Sequence, residues 1–406
     1  MTDIYALAAL WLGLALIATL LSIWLRIATA LSEIVVGTVA QLLIGASVGA
    51  ALLGTQEPWI KFLSGTGAIL LTFLAGAELD PVIFRAKWKE ATAVGLISFL
   101  APFLGCTAAA WYLLDWSKEA SWLAGIALST TSVAVVYAVM LEFGFNTTDY
   151  GKTVLAACFI TDLGTVLALG LMFAPFTYKT VIFVIASLVA FTVLPWLTPR
   201  FFKRFGDRPS ELEAKFLLLC LFGLGALAAW ADSEAVLPAY MIGMVLAGTV
   251  GKDHVLIRRL RTLTFGLLTP FYFIRAGSFV SLPALIAAPA AFFILFAAKM
   301  VTKFAGVYPV TKLYRSPHQE AMYTTLLMST GLTFGSISAL FGLSHGIIDQ
   351  SQYSLLVATV IGSAVIPTLI ANAFFLPHHL LRKPAAMAAP PVSQAALANP
   401  PSTLQP

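Results

Sequence analysis

Charge is what this chain has least of. Only 11% of its 406 residues are Asp, Glu, Lys or Arg, 59% are hydrophobic, and the mean hydropathy is +0.90. So little polar surface cannot cover a water-soluble globule of this length, which leaves a chain threaded repeatedly through a bilayer. Cysteine is scarce as well. Cys106, Cys158 and Cys220 lie inside apolar runs at no metal-ligand spacing, so neither a disulfide framework nor a zinc site is expected, and no cofactor is implied. The spans lack a Ser/His constellation, and they lack the second mid-depth acid that an intramembrane aspartyl protease needs, which argues against an enzyme. A filter loop or a ring of one charge, the marks of a channel, is missing too. The first apolar stretch, Ile4 to Leu25, has no basic leading region and no small-residue cleavage site, so it reads as a retained span rather than a signal peptide.

What is present is a series of apolar stretches, each long enough to cross a bilayer and bounded by charged or turn-forming residues. They fall at about 4–25, 34–53, 60–79, 91–114, 121–141, 152–174, 180–197, 214–231, 235–250, 263–282, 285–309, 321–342 and 353–376. The fold class is therefore an all-α polytopic membrane protein of about thirteen transmembrane helices. The net charge of +5 does not point to nucleic acid, because about 18 of the 24 Lys and Arg residues fall in alternate loops. Arg85, Lys87 and Lys89 mark one such loop, and Lys252, Arg258, Arg259 and Arg261 another; the opposite loops hold only Lys61, Lys118 and Lys179. The positive-inside rule then places the N-terminus outside and the C-terminus in the cytoplasm, and requires an odd number of passes. Residues 385–406, rich in Ala and Pro and free of charge, read as a disordered tail.

Two spans are interrupted alike. "ALSTTSVAVVYAVMLEFG" (127–144) and "LMSTGLTFGSISALFGLSHG" (327–346) each place a Ser-Thr pair in mid-span, and the topology runs them through the membrane in opposite directions. Hydroxyls and glycine at that depth loosen the helical ladder, and freed backbone groups are tolerated there only against protein or a water-filled cavity. Such an inverted pair of broken helices points to a transporter's ion site.

Asp162, in "FITDLGTVLALG", lies about eleven residues from either end of its span, near the bilayer midplane. A charge there costs about 3 kcal/mol on insertion scales, so the carboxylate must face a partner or a cavity. Burial and a neighbouring cation pull its proton affinity in opposite senses, which suits a group that exchanges a proton. Candidate cationic partners are Lys299 and Lys303, one helical turn apart in "FAAKMVTKFAGVYP", with Arg275 in "PFYFIRAGSFVSL" as a third intramembrane cation. Glu78 and Glu142 sit near helix ends on the basic side as candidate funnel residues, while Asp80 before Pro81 reads as a turn.

Together, "LAGAELDP", "LSTTSVAVVYAVMLEFG", "TDLGT", the lysine-bearing helix and "STGLTFGSISALFGL" resemble the monovalent cation:proton antiporters. The likeness is to the bacterial branch of sodium/proton exchangers and Kef-type potassium efflux systems, and covers about residues 5 to 378. It implies a homodimer in the bacterial inner membrane serving pH homeostasis, with inverted-topology repeats and two interrupted, crossing helices in each subunit. Dimerisation helices would lie at about 4–79 and 214–282, ion-translocating core helices at about 91–174 and 285–376, and a linker helix at about 180–197. Thr161 and Asp162 match the family's two-residue motif, with Asp162 as the shared cation and proton carboxylate. Threonine in place of a first aspartate resembles the electroneutral exchangers, which implies one proton per Na⁺ or K⁺. Thr130, Thr131 and Ser132 match the cation's hydroxyl and carbonyl contacts; Lys303, followed by "FAG", matches the basic residue that pairs with Asp162, and Lys299 is the other candidate. The Kef-type regulatory domain has no counterpart in the sequence, so regulation by nucleotide or glutathione is not expected. A cation-coupled solute symporter of similar inverted-repeat fold is the alternative reading.

Overall fold

The computed structural model describes residues 2–25, 28–47, 53–77, 81–145, 148–173, 177–206, 210–231, 233, 235–314 and 316–380. Glu78, Asp80 and the tail at 385–406 lie outside them. Every regular element among the described residues is helical. In chain order these are α1 (Thr2–Leu25), α2 (Thr29–Ser47), α3 (Pro58–Ala77), α4 (Pro81–Leu114), α5 (Lys118–Ser129), α6 (Val133–Glu142), α7 (Asp149–Phe173), α8 (Tyr178–Phe205) and α9 (Leu212–Trp230). There follow α10 (Val236–Leu246), α11 (His254–Leu263), a π turn at Thr264–Leu268, α12 (Thr269–Ser278), α13 (Leu282–Ala287), α14 (Pro289–Leu313), α15 (His318–Met328), α16 (Thr333–Ser344) and α17 (Gln350–Phe374). Nine helical stretches among the described residues are long and apolar enough to cross a membrane, and Thr29–Leu43 and Val236–Leu246 are shorter apolar helices. This is a multi-pass membrane protein.

Several boundaries differ from the apolar runs for identifiable reasons. The charged segment before residue 91 is still helical, so α4 begins at Pro81 and bends at Lys87. Polar ends can stay helical where water receives their side chains. The run expected at 263–282 begins instead at His254, because Asp253 caps α11 by accepting from the backbone of Val255 and Leu256. The run expected at 285–309 is split, with the short α13 separated from α14 at Ala288. Capping also fixes α17: Gln352 N donates to Asp349 Oδ1 at 2.8 Å while Asp349 N donates to Gln352 Oε1 at 3.0 Å.

The order long helix, broken helix, long helix occurs twice, in α4 to α7 and again in α14 to α17. The two runs repeat one element order, and α14 packs along α4 to join them. The largest hydrophobic cluster fills this double unit and reaches α3, α10 and α12. A second cluster ties α3 to α8, α9, α10 and α11. Close approach in that second body depends on glycine: a Cβ added at Gly243 of α10 would stand 2.2 Å from the Phe73 carbonyl oxygen of α3. Small residues that let helix backbones touch are the usual means of packing where lipid removes the hydrophobic drive.

Candidate functional site: two broken helices and a buried aspartate

α5 ends at Ser129 and α6 begins at Val133, leaving Thr130 to Ser132 outside regular helix, with Thr130 extended. α15 ends at Met328 and α16 begins at Thr333. The two breaks touch. Thr131 Oγ1 donates to the Met328 carbonyl at 2.8 Å, and Ser132 N donates to the Thr330 carbonyl at 3.2 Å. Each break thus supplies partners for backbone groups that the other leaves free, which answers the bilayer's demand that such groups be satisfied internally. Thr130, Thr131 and Ser132 are all buried. The Thr130 hydroxyl donates back to the Ala127 carbonyl at 3.2 Å, as a hydroxyl at a helix end commonly does.

Asp162 sits in the middle of α7 and is 1% exposed. Among the described residues its Oδ1 has no hydrogen-bond partner. It lines a cavity of about 350 Å³ whose other walls come from α3 (Leu71, Leu74), α6 (Tyr137), the α11 and π-turn segment (Arg261, Phe265) and α16. The carboxylate is therefore neither turned to lipid nor sealed in hydrocarbon. A buried carboxylate oxygen without a donor is costly, and a proton or a cation on it removes the cost. Among the described residues a second buried carboxylate is Glu33 on α2, 2% exposed; it stands just ahead of the apolar run at 34–53, where a charge reads as a span boundary.

Both lysines are fully buried on α14, but neither forms an ion pair with Asp162 among the described residues. The hydrogen bonds of Lys303 go to hydroxyls. Its Nζ donates to Ser98 Oγ of α4 at 2.8 Å and to Thr131 Oγ1 at 3.1 Å, so hydroxyls solvate the ammonium and the break is tied to both long helices. Lys299 Nζ donates to Ser363 Oγ of α17 at 2.9 Å, beside the second break. Thr161, expected beside the ion, turns to α4 instead: its Oγ1 donates to the Gly95 carbonyl at 3.0 Å and to the Ala157 carbonyl at 3.1 Å, pinning α7 to α4.

Arg275 is not part of this arrangement. Its Nε donates to the Thr55 carbonyl at 2.9 Å and it lines a different cavity, of about 200 Å³, with Lys61 and Ser64. Glu142 closes α6, and its side chain, like Glu78, lies outside the described residues. Ser98, Ser363 and Arg261 join the site without having been singled out from the sequence. Tyr240 of α10 adds a contact from the second body, donating to the Phe159 carbonyl of α7 at 3.0 Å.

Paired broken helices crossing beside a buried acid define a secondary transporter rather than an enzyme. Residues 12–376 match the sodium/hydrogen exchanger transmembrane family, and the chain belongs to it. A Na⁺/H⁺ antiporter of Enterococcus hirae is 27% identical over 353 residues, covering 83% of this chain and 91% of the relative. The glutathione-regulated potassium-efflux protein KefC of Shigella flexneri is 23% identical over 394 residues, covering 89% of this chain and 59% of that protein. In three dimensions the chain matches the sodium proton antiporter MjNhaP1 of Methanocaldococcus jannaschii with a TM-score of 0.65 at 14% identity, covering 92% and 96% of the two chains. That likeness speaks for the fold.

Proposed function

We propose that this protein exchanges Na⁺ or K⁺ for H⁺, one for one, by alternating access, with Asp162 as the single carboxylate that holds either. The observation that carries this reading is the unpartnered Oδ1 of Asp162, buried yet facing a cavity beside two crossing helix breaks. Exchange follows from competition: a proton and a hard cation cannot occupy one carboxylate together. Oxygen donors suit such a cation, and the breaks at Thr130, Thr131 and Ser132 supply hydroxyl and carbonyl oxygens that can replace part of its hydration shell. The empty, charged site crosses between facings poorly, because an uncompensated carboxylate is expensive against apolar walls. That cost couples the two ions.

Lys303 supports the site through Thr131, holding the first break in place while its charge offsets that of Asp162 across the core. Helices α4 to α7 and α14 to α17 form the mobile core, and helices at about 4–79 and 214–282 form the body it moves against, which also pairs with a second copy. Thirteen passes, with the N-terminus outside a bacterial inner membrane and the C-terminus in the cytoplasm, fit the basic loops. The test is proton movement in proteoliposomes on addition of NaCl or KCl. Asp162→Asn should abolish it, and a variant that keeps the normal rate would overturn the site assignment.

A further inference from the structure

The two runs of long, broken and long helix carry the same parts at the same places. Each has a half-helix that ends at the crossing, α5 at Ser129 and α15 at Met328, and a closing helix of 25 residues, α7 or α17. Asp162 is the fourteenth residue of α7, and Ser363 is the fourteenth of α17. Free carbonyls at the end of a half-helix are what membrane transporters use to coordinate monovalent cations. The second run therefore has the parts of a cation site too, with a hydroxyl where the first has an acid.

A side chain of the protein already fills that second place. Lys299 comes in from α14, and its Nζ donates to Ser363 Oγ at 2.9 Å. A Cβ built on Gly331, in the second break, would have Lys299 Nζ, Thr130 Oγ1 and Ser363 Oγ all within 3.3 Å, so the amine and two hydroxyls converge on the backbone of the break. Thr130, Lys299 and Ser363 are each 0% exposed, whereas Asp162 lines a cavity. Burying an ammonium is costly, and an apolar side chain of similar volume would hold α14 against α17 without that cost. A polar head brought to this one point needs a reason other than packing.

We infer that Lys299 is a tethered cation: its head occupies, in the second run, the half-site equivalent to the one a soluble cation takes beside Asp162 in the first. The inference rests on Asp162 being the cation's carboxylate. In the first run charge holds the cation. In the second the covalent chain holds it, so a serine suffices where the other run needs an acid. The head cannot leave, so this half-site stays filled in every facing of the carrier, and only the place at Asp162 takes a soluble ion. The repetition of the fold offers two places, and Lys299 reduces the exchangeable cations to one, as one-for-one exchange with a single carboxylate requires.

The experiment asks whether a soluble cation can replace the head. In the full chain carrying Asp162→Asn, so that the first place is disabled, Lys299→Ala should open the second. Methylammonium chloride should then raise the melting temperature by about 2 °C or more over choline chloride at equal ionic strength, choline being too bulky for the space a lysine leaves. Asp162→Asn with Lys299→Met, in which an apolar chain keeps the place filled, should show no such difference. Each variant is also prepared in methylammonium chloride from the start. Folded Lys299→Ala protein recovered only in that salt supports the inference, and none in either salt overturns it. No shift in Lys299→Ala, or an equal shift in Lys299→Met, overturns it as well. A shift in Asp162→Asn with Lys299 intact would mean that a soluble cation binds without Asp162, and the fault would then lie with the assignment of Asp162 on which the inference rests.

Discussion

Lys303 and Ser98 are 205 positions apart in sequence, yet the Nζ of one donates to the Oγ of the other at 2.8 Å in the fully buried centre of the repeat unit. This contact joins α14 to α4, the first long helices of the two repeats. A buried ammonium that loses an acceptor pays most of its desolvation uncompensated, whereas one that keeps its hydroxyls is stable. Ser98→Ala should therefore cost about 1.5 to 3 kcal/mol, the usual range for a hydrogen bond to a charged group. Adding Lys303→Met should recover part of that loss, because the stranded charge is gone. Thermal unfolding of the two single variants and the double variant in detergent checks this, and additive losses would contradict it.

The buried, unpartnered Oδ1 of Asp162 makes a second prediction. In cation-free buffer Asp162→Asn should be at least as stable as wild type, since a neutral amide oxygen is cheaper to bury without a donor than a carboxylate oxygen. Adding Na⁺ or K⁺ should stabilise wild type only. At a cation concentration about 100 times Kd the gain is about 2.7 kcal/mol. A melting series across salts would read it, with choline chloride to control for ionic strength.

How far the sequence itself disclosed this site depends on the kind of signal. Asp162 was legible because a charge amid apolar neighbours is costly wherever the chain folds, and the breaks were legible because Ser, Thr and Gly interrupt long apolar runs. Ser98 and Ser363 were silent: a lone serine in a transmembrane helix is ordinary until the fold brings a lysine to it. Arg261 was hidden in a basic segment that reads as a topology signal, and only the fold puts it on the cavity wall. For Lys303 an opposite charge is the only partner a sequence can suggest, whereas the two hydroxyls that accept from its ammonium come from α4 and from the first break, far away in the chain.

Sharing one carboxylate fixes the kinetics. Raising proton concentration should raise the apparent KM for cation and leave the maximal rate unchanged, by about tenfold per pH unit wherever the proton is the dominant occupant. Initial rates of cation-driven proton release from pH 6 to 9, at several cation concentrations, test this. A maximal rate that falls with KM constant would instead indicate separate sites.

Gly331, in the second break, has no room for a side chain. A Cβ there would stand 2.4 Å from Lys299 Nζ and 2.9 Å from Thr130 Oγ1. Gly331→Ala should displace the Lys299 ammonium from Ser363 and push the two breaks apart, with a cost of about 1 to 3 kcal/mol for overpacking and a matching loss of transport. Gly223 of α9 is the control. Nothing lies within 4 Å of a Cβ added there, so Gly223→Ala should be neutral or stabilising by up to about 1 kcal/mol, through helix propensity alone.

Thr131 uses one oxygen for its two shortest contacts, donating its proton to the Met328 carbonyl at 2.8 Å while accepting from Lys303 Nζ at 3.1 Å. It therefore joins the first break to the second and both to α14. Serine preserves each contact and valine preserves only the shape, so the pair of substitutions isolates the hydroxyl. Thr131→Ser should stay close to wild type in stability and transport. Thr131→Val leaves the Met328 carbonyl short of a donor and the ammonium short of an acceptor, at about 1 to 3 kcal/mol for each unsatisfied buried group. Its apparent cation KM should rise as well, since the break oxygens are no longer held in register with Asp162. Unfolding and flux measured on the same preparations settle the point, because a valine variant that keeps both would mean that Thr131 merely fills space.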